Sequence, residues 1–287
     1  MRTLFSEENS VQAVLDRLDQ CEDPRLKEVV TALATHLHAF IKDVEPTMEE
    51  WFQGVDFLTR TGQKCSGQRQ EYILLSDIMG VSMLCESINN RKPSGATEAT
   101  VQGPFHAEGS PERDLGTTIC DDGLGEPCWV EGRILSVDGT PIVGAKLDIW
   151  QTNAEGDYQV QAPEQPDGNQ RGIFRTDEEG RYYFAASLPV SYSVPTDGPV
   201  GELLRGMGRH AMRPAHMHFM VSAEGHDPLT THLFVDGDPY LDSDAVFGVR
   251  ESLVVQFTPA DPSTAAARNL PAEHQEVSYD FVLTPKG

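Results

Sequence analysis

Four side chains in the second half of the chain, Tyr158, Tyr192, His216 and His218, are of types that together could hold a metal ion. The histidines sit two apart in Arg213-Pro214-Ala215-His216-Met217-His218-Phe219, and successive side chains of a strand point to opposite faces. His216 and His218 therefore share a face, leaving Met217, Phe219 and Val221 to pack on the other. An imidazole supplies a neutral nitrogen and a deprotonated phenol a hard, anionic oxygen. That donor set suits ferric iron better than zinc or cuprous copper. Each residue alone has a plainer explanation, since strand histidines usually pack and tyrosines beside Gly156-Asp157 or between Ser191 and Ser193 usually pack or turn. Arg213 reads either as a salt-bridge partner or as a permanent cation stabilising negative charge beside the cluster.

Such a set needs a frame. From Val11 to about Asn90 apolar residues recur at helical spacing, through Val11, Val14, Leu15 and Leu18, then from Leu26 to Val44, then densely from Gln70 to Ser87. Asn90-Arg91-Lys92-Pro93-Ser94-Gly95 breaks the pattern and places a seam near residue 95. Beyond it short strands dominate: 129–137, 145–150, 181–185, 216–221, 231–235, 252–257 and 277–283, with Asp138-Gly139, Glu179-Gly180 and Asp236-Gly237 as turn signals. The expected class is α+β, with an α-helical domain over 1–95 and a β-sandwich over 96–287. Gln161 to Gln170 reads as an exposed loop between strands.

At 287 residues the chain can bury a substantial core. Its net charge of −23, from 22 Lys+Arg against 45 Asp+Glu, makes nucleic acid and anionic membrane surfaces poor partners. Five cysteines, scattered without a CxxC pair, and no apolar stretch after basic residues at the N-terminus lead us to expect a reducing, cytoplasmic compartment. No run approaches the roughly 18 apolar residues that span a bilayer.

Three separated motifs, in order, carry a resemblance that covers nearly the whole chain: Asp148-Ile149-Trp150-Gln151-Thr152-Asn153-Ala154-Glu155-Gly156-Asp157-Tyr158, then Pro189 to Pro199 around Tyr192, then Arg213 to Phe219. The sequence resembles the intradiol ring-cleavage dioxygenases, which open catechol-type rings with O2 at non-haem ferric iron. Within that family Val194 to Gly201 and Tyr240 to Val249 look most like the branch acting on hydroxyquinol, benzene-1,2,4-triol. The resemblance implies one ferric ion per chain held by Tyr158, Tyr192, His216 and His218, with Tyr192 the displaceable ligand that acts as a base and Arg213 the catalytic arginine. The implied product is 3-hydroxy-cis,cis-muconate or its tautomer maleylacetate.

By the same resemblance the ring-binding slot is lined by Leu74 and Asp77 on the third helical stretch, by Val101, Gln102, Gly103, Pro104 and Phe105, by Val194 and Pro195, and by Val246. Asp77 is the residue most suited to a third hydroxyl, although a carboxylate there reads equally well as solvent-facing. Gln102 departs from the expected apolar residue and bears on which ring substituent is preferred. His232 stands where catechol-cleaving relatives typically have glutamine, and it is expected near the substrate, orienting groups or carrying a proton. The helical third is expected to form a homodimer interface with a lipid bound there. Two other readings stay open: a catechol or chlorocatechol 1,2-dioxygenase with the same four ligands, and a non-catalytic sandwich module suggested by Gly139-Thr140-Pro141-Ile142-Val143-Gly144-Ala145.

Overall fold

Local signals start the helices. Asp23 Oδ1 accepts from the amides of Arg25 and Leu26 (2.9 and 3.1 Å) and Pro24 opens the first turn, so helix α2 (Pro24–Val44) begins where the second apolar stretch does. Thr47 and Glu50 cap each other reciprocally, with Thr47 N to Glu50 Oε2 at 2.8 Å and Glu50 N to Thr47 Oγ1 at 3.2 Å. That capping box starts a helix, α3 (Met48–Lys64), that the apolar stretches read from the sequence did not include. A computed structural model describes residues 4–67, 69–91, 93 and 95–287, so Lys92 and Ser94 of the expected seam lie outside the described residues. The helices before the seam are α1 (Ser10–Leu15), α2 (Pro24–Val44), α3 (Met48–Lys64), α4 (Glu71–Ile78) and α5 (Val81–Asn89). The third expected stretch is two helices because Gly80 takes a left-handed φ of 72° between them.

The chain divides into two compact units, Met1–Arg60 and Thr61–Gly287. Helices α4 and α5 thus belong to the larger unit, although they precede the change from helix to strand expected near 95. The reason is burial: Ile78 and Met83 are core residues, and fully buried Glu71 accepts from the Val200 amide while pairing with Arg69 at 2.7 Å.

In the larger unit two five-stranded sheets face each other. One contains β1 (Pro127–Ser136), β4 (Arg181–Ser187), β10 (Thr258–Pro259), β11 (Gln275–Ser278) and β12 (Phe281–Leu283); the expected strand over 277–283 is the last two of these. The other runs β3-β2-β7-β8-β9, with β2 (Lys146–Trp150), β3 (Arg171–Arg175), β7 (His216–Ser222), β8 (Leu229–Val235) and β9 (Val254–Val255). A short ladder joins β5 (Tyr192–Ser193) to β6 (Met212–Arg213), with helix α6 (Pro199–Gly206) between them. The last helix is α7 (Ala265–Arg268). The core between the sheets holds Leu147 and Ile149, Met217, Phe219 and Val221, and Leu229 and Leu233, against Val130, Tyr182, Phe184 and Phe281. By alternation, Asp148, Trp150, His216, His218, His232 and Phe234 stand on the opposite face of the second sheet. The sandwich therefore presents one polar and aromatic face away from its core.

Candidate metal centre

Strand register assembles the site. Trp150 of β2 lies opposite His218 of β7, which lies opposite His232 of β8, so three rings stand in a row across the sheet. Trp150 stacks on His218 at 4.6 Å and 13°, which fixes the plane of that imidazole. The β5–β6 ladder pairs Tyr192 with Arg213, and the loop after β2 brings in Tyr158, whose ring stacks on Phe105 at 4.7 Å. All four expected donors converge. Tyr158 Oη is 2.8 Å from His218 Nε2 and 3.2 Å from Tyr192 Oη, and His216 Nε2 is 3.2 Å from His218 Nε2.

These atoms fit a single small cation. His216 Nδ1 lies 2.7 Å from the Pro214 carbonyl, which can only accept, so Nδ1 carries the proton and Nε2 presents a lone pair to the cluster. Burial, and then the charge of Arg213, push the His216 pKa down to about 3, while burial and then the neighbouring His232 and His216 push His218 well below its ordinary value. Both imidazoles are neutral at physiological pH, the state a metal needs. Burial, followed by the charge of Tyr192, raises the Tyr158 phenol well above its ordinary value, so a phenolate there requires a cation. His218 Nδ1 and His232 Nε2 are buried without hydrogen-bond partners among the described residues. Imidazole nitrogen with phenolate oxygen is a hard, mixed donor set suited to ferric iron.

Arg213 is buried against the same cluster, its Nη1 3.3 Å from both Tyr192 Oη and His216 Nε2. Its Nε meets Asp244 Oδ1 at 3.1 Å, and Asp244 in turn accepts from the amides of Val246 and Gly248 at 3.2 and 2.8 Å. Burial opposes the charge on Arg213, but Asp244 together with the Tyr192 and Tyr158 phenols outweighs it and raises the guanidinium pKa, while burial raises and Arg213 lowers that of Asp244, with the net direction down. The pair is ionised and held in place.

A cavity of about 520 Å³ opens onto Tyr192 and Arg213. Its walls include Leu74 and Asp77 of α4, Val101, Gly103, Pro104 and Phe105 of the entry loop, Val194 and Pro195, and Val246, as the sequence led us to expect. Asp77 is buried, not solvent-facing; burial raises its pKa, against the Ser82 hydroxyl and the charge of Arg213, which lower it. Gly103 takes a left-handed φ of 75°, and a Cβ there would stand 3.5 Å from His218 Cε1, so backbone lines the slot where a side chain would be strained. Two expectations need correction. Gln102 is exposed and does not line the cavity, although Val101 and Gly103 on either side of it do. His232 does not line it either: it is fully buried behind the histidine pair, with Nδ1 hydrogen-bonded to Thr100 Oγ1. It backs the centre and does not touch the slot.

Residues 101–285 match the family described as "Dioxygenase", and residues 23–97 match "Catechol dioxygenase N terminus". A hydroxyquinol 1,2-dioxygenase of Rhizobium sp. (strain MTP-10005) is 52% identical over 97% of this chain and 96% of its own. The chain belongs to the intradiol ring-cleavage dioxygenase family. Among solved structures, that of a hydroxyquinol 1,2-dioxygenase from Pseudomonas putida DLL-E4 matches with a TM-score of 0.93 at 47% identity, covering 98% of this chain and 99% of that one. A catechol 1,2-dioxygenase from Acinetobacter sp. ADP1 matches with a TM-score of 0.83 at 31% identity, covering 100% and 95%. An intradiol dioxygenase is an enzyme of the iron-dependent, ring-opening kind, which removes the sandwich-module reading.

Sequence reasoning missed two members of this dioxygenase's site. Asp244 lay inside a quoted motif without a role, and its pairing with Arg213 spans a sequence separation of 31. His106 lines the cavity beside Phe105, with Nε2 3.3 Å from Asp148 Oδ2 and its ring edge-on to Trp150 at 4.6 Å. Asp148 belonged to the first motif and pointed, by strand alternation with Trp150, to the same face.

Proposed function

We propose that this dioxygenase holds one ferric ion per chain through Tyr158 Oη, Tyr192 Oη, His216 Nε2 and His218 Nε2, and opens hydroxyquinol between its adjacent hydroxyl-bearing carbons. Both atoms of O2 enter the product, 3-hydroxy-cis,cis-muconate or its tautomer maleylacetate, so no further redox cofactor is required. The observation that carries the reading is a buried carboxylate, Asp77, in the wall of a ring-sized cavity whose floor reaches Tyr192 and Arg213. A buried carboxylate needs a hydrogen-bond donor, and the third hydroxyl of a triol is one. The similarity to hydroxyquinol dioxygenases at 52% and 47% identity, against 31% for the catechol enzyme, supports the same substrate.

Ferric iron held by Tyr158, Tyr192, His216 and His218 would supply Lewis acidity that activates the diol toward oxygen. The chain does the rest. Tyr192 Oη, at the cavity floor, takes a proton from a substrate hydroxyl. Arg213 Nη1, 3.3 Å from that oxygen, steadies the negative charge that moves onto the ring, and Asp244 keeps the guanidinium aimed. Val194, Val246 and Phe105 grip the ring faces and exclude water. His232 and Trp150 hold the His218 ring from behind and from the side.

Oxygen uptake by iron-loaded protein tests this directly. Hydroxyquinol should be consumed with one O2 per ring and at a higher kcat/KM than catechol; preference for catechol would reject the substrate. The loaded protein should be red to purple from phenolate bound to ferric iron, and a Tyr158→Phe variant keeping the full colour would reject the ligand set.

The smaller unit is proposed to form a homodimer with a lipid at its interface. In support, α2 and α3 expose Leu33, Leu37, Phe40, Trp51 and Phe52, and a cavity of about 810 Å³ within this unit is lined by Leu37, Phe40, Ile41, Trp51 and Val55. A mass near 31.6 kDa by light scattering would reject the dimer, and denaturing mass spectrometry without an acyl species would reject the lipid. No helix among the described residues is long and apolar enough to cross a membrane. A cytoplasmic location is supported by five cysteines that are all free thiols. Cell fractionation tests it.

A further inference from the structure

Two walls of the cavity, Asp77 on α4 and Val246 in the loop before β9, come from elements far apart in sequence, and one side chain ties their backbones together. Arg209 Nη1 donates to the Ile78 carbonyl at 2.6 Å, one residue beyond Asp77. Its Nη2 donates to the Ala245 carbonyl at 2.9 Å, between Asp244 and Val246. The guanidinium also lies 4.7 Å from the ring centroid of Phe247, a residue that takes a left-handed φ of 59°. Gly80 completes the stack, since a Cβ there would stand 3.5 Å from that ring. Arg209 is itself anchored at the end of α6, where Gly208 takes a φ of 68° and the Arg209 amide donates to the Leu204 carbonyl at 2.9 Å. A planar fork with fixed donors can hold two carbonyls at a set separation, which a flexible ammonium cannot.

We infer that Arg209 is a positioning residue that sets the separation of Asp77 and Val246, and with it the fit of the substrate ring. The same clamp reaches Asp244, whose carboxylate aims Arg213, through the neighbouring Ala245. Arg250 reinforces it from the end of the loop, its Nη2 donating to Ser87 Oγ of α5 at 2.9 Å. Arg209 touches neither the metal donors nor the cavity, so its removal should act on substrate fit and not on the iron.

The inference rests on the proposed reaction for its substrate, and the test keeps the two apart. Iron-loaded wild type, Arg209→Met, Arg209→Lys and Phe247→Leu are compared with hydroxyquinol and with catechol. For whichever ring the wild type prefers, Arg209→Met should raise KM about tenfold with kcat within about threefold, and should narrow the ratio of kcat/KM between the two rings. Arg209→Lys should recover part of the loss, Phe247→Leu should show a smaller loss of the same kind, and the visible band of each loaded variant should stay in place. An unchanged KM in Arg209→Met, or a matched fall in kcat/KM for both rings with a lower Tm, would overturn the clamp. Wild-type preference for catechol would overturn the triol reading alone, because the KM shift on catechol still decides the clamp.

Discussion

The proposed metal corner and substrate slot are neighbours held by different forces. At the corner, Trp150, His218 and His232 are set side by side by the hydrogen-bonded ladders of three adjacent strands, and their positions follow once register is fixed. The slot has no ladder across it. Asp77 sits on a helix and Val246 in a loop, and the walls they form are held by side chains bonded to distant backbone: Arg209 to two carbonyls and Glu71 to the Val200 amide. A ladder tolerates the loss of one side chain; a slot tied by single side chains does not. The corner should therefore control whether the reaction occurs, and the slot which ring undergoes it.

The largest effects should come from the corner. His216→Ala should abolish the colour of the loaded protein and lower kcat by more than about 10³-fold, and chelating the iron should do the same reversibly, as oxygen uptake would show. Retention of either property would place the metal elsewhere. Asp244→Asn leaves Arg213 buried without its counter-charge; kcat should fall roughly 10²-fold and the protein lose about 3 kcal/mol in urea unfolding. A wild-type kcat in that variant would mean that Arg213 is aimed by something else.

The metal-free protein should also report the corner through pH. Burial and Arg213 hold the native His216 pKa down near 3, so below the ordinary value of 6.5 the unfolded chain takes up a proton that the native state refuses. Stability should be full above about pH 6.5 and fall towards pH 3. A flat profile of Tm over that window would contradict the burial of a neutral imidazole.

Smaller effects belong to the slot. Asp77→Asn should reduce the preference for hydroxyquinol over catechol about tenfold, because the carboxylate is the stronger acceptor for the third hydroxyl. Its native pKa is raised, so ionised Asp77 costs stability as pH climbs past the unfolded value of 3.8; the Asn variant should match the wild type in strong acid and be the more stable at neutral pH. Unchanged ring preference would sharpen the comparison by moving selectivity to the apolar walls. Gln102→Leu marks the lower bound: an exposed side chain should alter kcat/KM for either ring by less than about twofold. A larger change would mean that the entry loop inverts when substrate is present.

Much of this enzyme could be read along the chain because its chemistry sits on regular elements. The spacing of His216 and His218 determined that they share a face, since the strand period is two whatever the partner strands do, and Met217, Phe219 and Val221 declared the core side. Gly80 divides a stretch that the apolar pattern ran together, and the Thr47–Glu50 box starts a helix that the pattern did not include. Tyr158 and Tyr192 were legible only through the motifs around them, since nothing in a loop's local sequence says where a phenol will point. What tertiary structure decided was every meeting between surfaces: that Asp77 is buried, that Gln102 turns outward, that His232 stands behind the centre, and that Asp244 and Arg209 brace the walls. Backbone periodicity is a property of neighbouring residues, but a contact across 31 or 131 positions depends on which helix packs on which sheet, and that is set by the whole core.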